Sequence, residues 1–470
     1  MPAYTLTPDD ILFFRDGRPM ETSGGHGARW PEPSVIFDAL HAALHRAFPA
    51  VGQKDFQSWE HPHHYGRNGH YPERGDDSKR RQRFGSLATV GPFPVKDGLW
   101  LFRVPADATS SKDPTTWLLR PIANDPSDPS NPSAQSNLPP PLKYPLANCS
   151  PPTTDEPDPW WTKAAIESYL RDQKPSEERR WAFTDDDLFS REWHTGIAID
   201  PATQTTGRGE AAGKIYAAQY LRLRDGISLG IHATMPMKNG QPGHVTERIT
   251  ELFPAHRIVI VGGQQRPCHV EPLEQDSQPI ALESLLPVSA PISGTRVKWL
   301  LLSPAVFPAI ADNKEKGISA HPGGWLPNWI CLKTGQVLLK QGNTDRQTGE
   351  RRETWRQRVR SMPTIAARLV AARIPKPIVV TGWTEALHLK DTLSHREHGP
   401  RPTLLAVPAG AVYYFEAETP EAAAQLAAAL NWHSAEATPT TIRNRRSTLL
   451  GEKGFGLGVC GTWQLDEAPN

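Results

Sequence analysis

The residues best suited to chemistry in this chain are basic side chains beside bare backbone. GEKGFGLGVCGTW, Gly451 to Trp463, sets five glycines in eleven residues, with Lys453 and Phe455 among them. Glycine admits positive φ and lets main chain come close to another molecule, and a neighbouring cation suits an anionic partner. Gly456, Gly458 and Gly461 satisfy G-x-G-x-x-G. A dinucleotide site needs a strand before that motif, a helix after it and an acid about 20 residues further on. The nine residues after Gly461 leave no room for the last two, so that reading is set aside. Just upstream stand Arg443, Arg445 and Arg446. Cations, approachable backbone at Gly454 and Gly456, and the Phe455 ring together suit single-stranded RNA. A ligand-free glycine hairpin is the alternative.

Three further patches carry charge. FFRDGRPMETSGGHGARW holds Arg15, Arg18 and Arg29, with His26 and Trp30, on a glycine-rich loop that leads into a helix. Helix N-termini and arginines favour phosphate; a polar loop with an Asp16–arginine pair is the plain alternative. Arg208 and Lys214 flank a long tip of small residues, PATQTTGRGEAAG, which reads as a surface loop or as a wedge between bases. The run Arg346 to Arg360, RQTGERRETWRQRVR, reads as a solvated helix face that leaves a nucleic-acid contact open. His61, His63, His64 and His70 lie in a polar stretch without cysteine or a further ligand group, so a solvated loop is expected there rather than a metal site. G-x-S-x-G and H-E-x-x-H are both absent. No metal or cofactor is expected.

The elements that must position these residues follow from pattern. The 470 residues, 38% hydrophobic and 22% charged, describe a globular chain long enough for two or three domains. A net charge of +1 means that any nucleic-acid site is a local patch. Cys149, Cys268, Cys331 and Cys460 are far apart, which fits a reducing cytoplasm. The N-terminus lacks a signal-peptide pattern, and no stretch approaches a membrane span. Two short strands are expected in YTLTPDDILFFRDGRP, then a helix over Ser34 to Phe48 with Ser34 as N-cap. Strand-like pieces follow at Leu99 to Val104 and Thr116 to Leu119, and WWTKAAIESYLRD reads as helical. Residues 59–83 and the proline-rich 126–159 read as insertions or linkers. A hairpin is expected from Gly196–Asp200 and Lys214–Ile231, and RIVIV is a further strand. In the second half, strands at TRVKWLLL and GAVYYFEAE accompany a helix capped by Thr419 with Pro420 in its first turn. Without β-α-β-α alternation, this is an α+β chain of antiparallel sheets backed by helices.

Read together, these pieces resemble the third subunit of the type III-B CRISPR effector, the Cmr complex, in the RAMP superfamily. The resemblance rests on LFFRDGRP with its GGHGA loop and WPEPS turn, GPF at Gly91–Phe93, the hairpin His194–Leu223, and VGGQQR at Val261–Arg266. It continues through LLLSPAVF, GGW at Gly323–Trp325, TGWTEALHL, AVPAGAVYYFE and GFGLGVCGTW. It implies two ferredoxin-like, RRM-related domains, 1–290 and 291–470, with a hairpin thumb at 196–231 and a glycine-rich loop at 451–461. It also implies a non-catalytic, cytoplasmic RNA-binding subunit that holds the 5′ tag of the CRISPR RNA, beside the large polymerase-like subunit and the backbone RAMP subunits. Tag-contacting residues would be Arg15, Arg18, His26 and Arg29, with Lys453, Gly454, Phe455, Gly456 and Arg443 on the terminal loop. Arg208 and Lys214 would lie on the thumb, and Gly263 and Arg266 at its inner face. The rival within the same superfamily is a metal-independent CRISPR precursor RNA endonuclease, for which His26 would be the general base.

Overall fold

A computed structural model describes residues 2–16, 24–48, 84, 86–110, 117–123, 138–148, 156–200, 202–206, 215–238, 245–255, 257–275, 278–312, 319–344, 346–347, 349–384, 399–400 and 403–466. Arg18, Arg208, Lys214 and the histidines between 61 and 70 lie outside these residues.

Each half is built on a four-stranded antiparallel centre. In the first half the strands lie side by side in the order Arg266–Gln275, Ala3–Pro8, Ile227–Thr234, Ala88–Lys96. Helix Pro33–Ala47 follows the first strand in sequence, and helix Arg248–Ala255 follows Ile227–Thr234. Ile258–Val261 extends one side of the sheet; Leu99–Arg103, Trp160–Thr162 and Ala182–Phe183 extend the other. In the second half the order is Ala367–Arg373, Val412–Ala417, Arg296–Leu301, Gly458–Gly461, all antiparallel. Helix Pro420–Leu430 packs across these four strands, its buried face made of Ala422, Ala423, Leu426, Ala427 and Leu430.

Period-two alternation sorts the strand residues into three cores. Tyr4, Leu6, Leu101 and Trp160 face a core shared with helix Pro33–Ala47. Their neighbours Ala3, Trp100, Phe102 and Trp161 face a second core, which also takes Leu300, Val412, Tyr414 and Val459 from the other sheet. The alternate residues of that sheet, Val297, Trp299, Tyr413 and Phe415, face a third core under helix Pro420–Leu430. Two sheets thus share a middle core and carry helices outside it. Both sheets are covered on both faces, so their strands read as near-continuous apolar runs.

A buried polar cluster crosses the middle. Tyr169 donates to Asp107 at 2.8 Å and Tyr414 donates to the same carboxylate. Lys298 lies 3.7 Å from the Tyr169 ring centroid and 4.0 Å from Asp172, which Arg120 engages at 2.7 Å. Burial raises the pKa of Asp107 and pushes that of Lys298 down to about 8.

Several sequence expectations change. The first helix runs Pro33–Ala47 with Glu32 at the N-cap, and Ser34 is buried inside it. Proline at N1 sets the start two residues earlier than a Ser34 cap would. Thr162 and Thr419 are true caps, accepting from Ala165 and Ala422. The segment 214–231 is two strands, Ile215–Leu223 and Ile227–Thr234, separated by a turn at Gly226 with φ +75°. After Ala3–Pro8, the second expected strand is reduced to isolated bridges at Leu12 and Arg15. Leu118 likewise makes only a bridge, to Ala108. Part of the proline-rich stretch is packed. Lys143 and Tyr144 donate backbone N–H groups to Val370 O at 2.7 and 3.0 Å, Tyr144 is buried, and Leu146–Ala147 pairs with Arg120–Pro121. The alternation Leu142, Tyr144, Leu146 was the missed signal: apolar residues every second position mark a strand-like segment even among prolines.

Candidate nucleic-acid interface

The loop after the first strand is laid along the long hairpin. The hairpin pairs Phe189–Ile197 with Ile215–Leu223, Phe189 opposite Leu223 and Ile197 opposite Ile215. Leu12 and Leu221 exchange backbone hydrogen bonds at 2.8 Å in both directions. Gly24–Gly25 then pairs in parallel with Ala217–Ala218, and Arg15 bridges to Gly27. A Cβ on Gly27 would lie 2.4 Å from the Gln219 carbonyl oxygen, so only glycine lets the loop approach this closely.

Alternation divides the hairpin into two faces. Arg191, Trp193, Thr195 and Ile197 share one, with Gln219 opposite Trp193. His26 sits edge-on to Trp193, ring centroids 5.8 Å apart, and Trp193 is 53% exposed. Arg29, exposed, holds Asp185 at 2.8 Å, and Asp185 also accepts from Trp160 Nε1 at 2.9 Å. Arg29 and Arg191 both act on Arg103 electrostatically: burial pushes that guanidinium down to about 10, the two arginines add to the effect, and Asp185 opposes it. This face therefore combines clustered cations with an exposed aromatic ring. Ile197, Ile199, Ile215 and Tyr216 are exposed toward the tip.

The opposite face is occupied by the protein itself. Tyr220 donates to Gln264 Oε1 at 2.5 Å and stands 5.4 Å from Phe13 and 4.7 Å from His194. Arg266 lies over the Tyr220 ring at 5.3 Å and donates to Gln264 at 3.2 Å. Gly263 donates its N–H to Phe13 O at 2.9 Å, and Gln264 and Gln265 both adopt left-handed φ, 57° and 52°. Such backbone in non-glycine residues is held only where surroundings impose it. Arg222 bridges Glu192 and Asp10, the latter at 2.7 Å, and lowers the pKa of both carboxyls.

The terminal glycine segment lies elsewhere and departs from the expected groove. Phe455 is wholly buried among Val306, Val380, Ala406, Leu449 and Leu450, so its ring has no face to offer a base. Lys453 is 3% exposed; its ammonium meets Asp38 at 2.9 Å and the Phe37 ring at 4.7 Å. Gly454, φ +96°, has backbone oxygens of Thr89 and Gly91 and the Pro33 side chain within 3.4 Å of where a Cβ would stand. At Gly456, φ +78°, the Ser447 backbone nitrogen would be only 2.0 Å from a Cβ. Arg445 donates to Thr89 O at 2.8 Å and to Gly451 O at 2.5 Å, Arg446 donates to Ala429 O at 2.5 Å, and Arg443 pairs with Glu436 at 2.5 Å. Gly454 lets the second half seat closely on the first helix and its neighbouring strand, and Gly456 lets the chain pass Ser447 within the second half. The composition that suits an RNA groove suits a tight interdomain joint equally well, because both need backbone without side chains.

The structure thus brings Arg15, His26 and Arg29 to the hairpin and places Arg266 across it, while Lys453 and Gly454 belong to the joint with the first helix, Phe455 and Gly456 are packed inside the second half, and Arg443 is an exposed side chain paired with Glu436. Sequence reasoning missed Arg191 and Trp193. The alternating order of REWHTGI, with arginine, tryptophan, threonine and isoleucine at every second position, was the available signal.

Residues 4–463 match the family model CRISPR-associated protein (Cas_Cmr3). The chain belongs to this family. No curated protein matches the sequence. Among solved structures, this Cas_Cmr3-family chain is similar to one from the Type III-B Cmr-beta complex bound to cognate target RNA and AMPPnP, at 14% identity over 88% of this chain and 86% of that one, TM-score 0.36. It is also similar to one from the Csm3-Csm4 subcomplex of the type III-A CRISPR-Cas interference complex, at 9% identity over 89% and 93%, TM-score 0.33. Among the described residues, no three His, Cys, Asp or Glu gather as a metal site and no helix is long and apolar enough to cross a membrane.

Proposed function

We propose that this chain is a non-catalytic RNA-binding subunit of a type III-B CRISPR ribonucleoprotein effector, holding the 5′ tag of the CRISPR RNA at the hairpin face beside the Arg15–Arg29 loop. The observation that carries the reading is the meeting of His26, Arg29 and Arg191 with the exposed Trp193 on one face. Cations hold phosphates without reading sequence, and a solvent-facing indole gives a base a stacking partner. The Cas_Cmr3 family match supports the CRISPR setting. Both halves use the strand order of the split β-α-β unit, with the first strand between the third and fourth, which supports two ferredoxin-like domains. The first helix of the second unit, Arg352–Ser361, is the exception, since none of its residues is buried. Arg18, Arg208 and Lys214 complete the proposed RNA surface, and the hairpin is its thumb. The large polymerase-like subunit and the backbone subunits are the proposed protein partners, in the cytoplasm.

The test is ultraviolet crosslinking of the purified chain to a labelled guide RNA, with adducts mapped by mass spectrometry. Adducts at Trp193 or in residues 15–29 are expected. Adducts confined to other surfaces overturn the placement. Specific cleavage of repeat RNA in EDTA that disappears in His26→Ala overturns the non-catalytic assignment in favour of an endonuclease.

A further inference from the structure

Helix Arg352–Ser361 contributes to none of the cores, and its composition is lopsided. From Arg346 to Arg360 there are six arginines and two glutamates, a net +4 in a chain whose total is +1. One side of the helix is fastened to the loop before it. Trp355 Nε1 donates to Thr344 O at 2.8 Å, and Arg358 donates to both Glu350 carboxylate oxygens at 2.9 and 3.1 Å. Lys340 donates to the carbonyls of Arg360 and Met362 at 3.2 and 2.7 Å.

The other side is an arginine stripe. Arg352, Arg356 and Arg360 follow at four-residue steps on one face, about 6 Å apart along the axis. All three are exposed, as is Arg351. Their guanidinium groups have no hydrogen-bond or ion-pair partner among the described residues. Glu350 is held by Arg358, and Glu353 pairs with none of them. Like charges at this spacing weaken a helix. The sequence keeps them where no apolar contact compensates, so their use lies outside the folded chain.

We infer that the Arg352–Arg356–Arg360 stripe is a second nucleic-acid contact, which grips the phosphodiester backbone of single-stranded RNA without reading its sequence. The chemistry favours RNA over an acidic protein. A protein interface draws its affinity from buried aromatic and aliphatic anchors ringed by polar groups. None of this helix's residues is among the exposed large hydrophobics, and its indole nitrogen is already bonded. What it offers is a regular series of guanidinium forks, unpaired among the described residues and matched to the bidentate geometry and repeating charge of phosphates.

The experiment uses the full chain and fluorescein-labelled U20, followed by anisotropy between 50 and 200 mM salt. Each arginine–phosphate contact on a single strand contributes about 0.7 to the slope of log affinity against log salt. Arg352→Gln/Arg356→Gln/Arg360→Gln should therefore flatten the slope by about 2, so that its affinity falls roughly 20-fold less than wild type across that range. The same flattening is expected in a Trp193→Ala background, which separates this surface from the hairpin reading. Arg356→Glu is the second variant. It converts the stripe to alternating charge, so the unfolding midpoint should rise while U20 affinity falls, a pairing that misfolding cannot produce. An unchanged salt slope in the triple variant, or Arg356→Glu binding U20 as wild type does, overturns the inference.

Discussion

Two aromatic residues make a paired test of where RNA meets this chain. Trp193 is 53% exposed on the hairpin face, and Phe455 is 0% exposed in a core of the second half. Replacing Trp193 by alanine removes a side chain that few protein atoms cover, so stability should change by less than about 0.5 kcal/mol. If the indole stacks on a base, its loss costs about 1–3 kcal/mol of binding, which is roughly 5- to 150-fold in Kd. Phe455→Ala should behave in the opposite way. The ring fills space between Val306, Val380, Ala406, Leu449 and Leu450, and deleting a buried Phe costs about 3–5 kcal/mol. Against a total of about 5–15 kcal/mol, that is a large fraction. The assays are urea unfolding for both variants and fluorescence anisotropy with a labelled guide-tag RNA, at a temperature where Phe455→Ala remains folded. Expected are a lowered midpoint with near-normal affinity for Phe455→Ala, and a normal midpoint with weakened affinity for Trp193→Ala. If Trp193→Ala binds as wild type does while folded Phe455→Ala does not, the terminal glycine segment is the RNA site and the reasoning fails.

Two further predictions concern stability. Tyr144→Ala should cost about 3 kcal/mol by vacating the middle core, and a deletion spanning residues 142–147 should abolish soluble expression; a deletion variant that expresses and unfolds like wild type would return this stretch to the status of a linker. His232, buried, has its pKa lowered to about 3 by desolvation. The unfolded chain then binds the proton first, so stability is full above about pH 6.5 and falls by up to about 1.4 kcal/mol per pH unit as pH drops toward 3. Urea midpoints at pH 7, 6 and 5, compared with His232→Phe, should show a shallower pH dependence in the variant.

Much was settled by local pattern. Thr419 followed by Pro420 and an alanine-rich body dictates a capped helix whatever surrounds it, because the cap and the propensity act within one turn. Strands such as Ala3–Pro8 and Val412–Ala417 are legible because both their faces are buried and their runs are apolar. The arginines and His26 of the first loop could be recognised as a cationic, glycine-supported patch from composition alone. The tertiary structure decided which glycines face a partner and which face the protein. Gly27 lets a loop lie against the Gln219 carbonyl, and Gly456 lets a turn pass Ser447, yet the two are equivalent in sequence. Burial has the same character. Lys453 and Phe455 resemble RNA-contacting residues until Asp38 meets the first and Val306, Val380 and Leu449 enclose the second, and Trp193 gains its meaning from standing beside His26 on an uncovered face. Exposure is a property of long-range packing between residues hundreds of positions apart, and no spacing within a short motif encodes it.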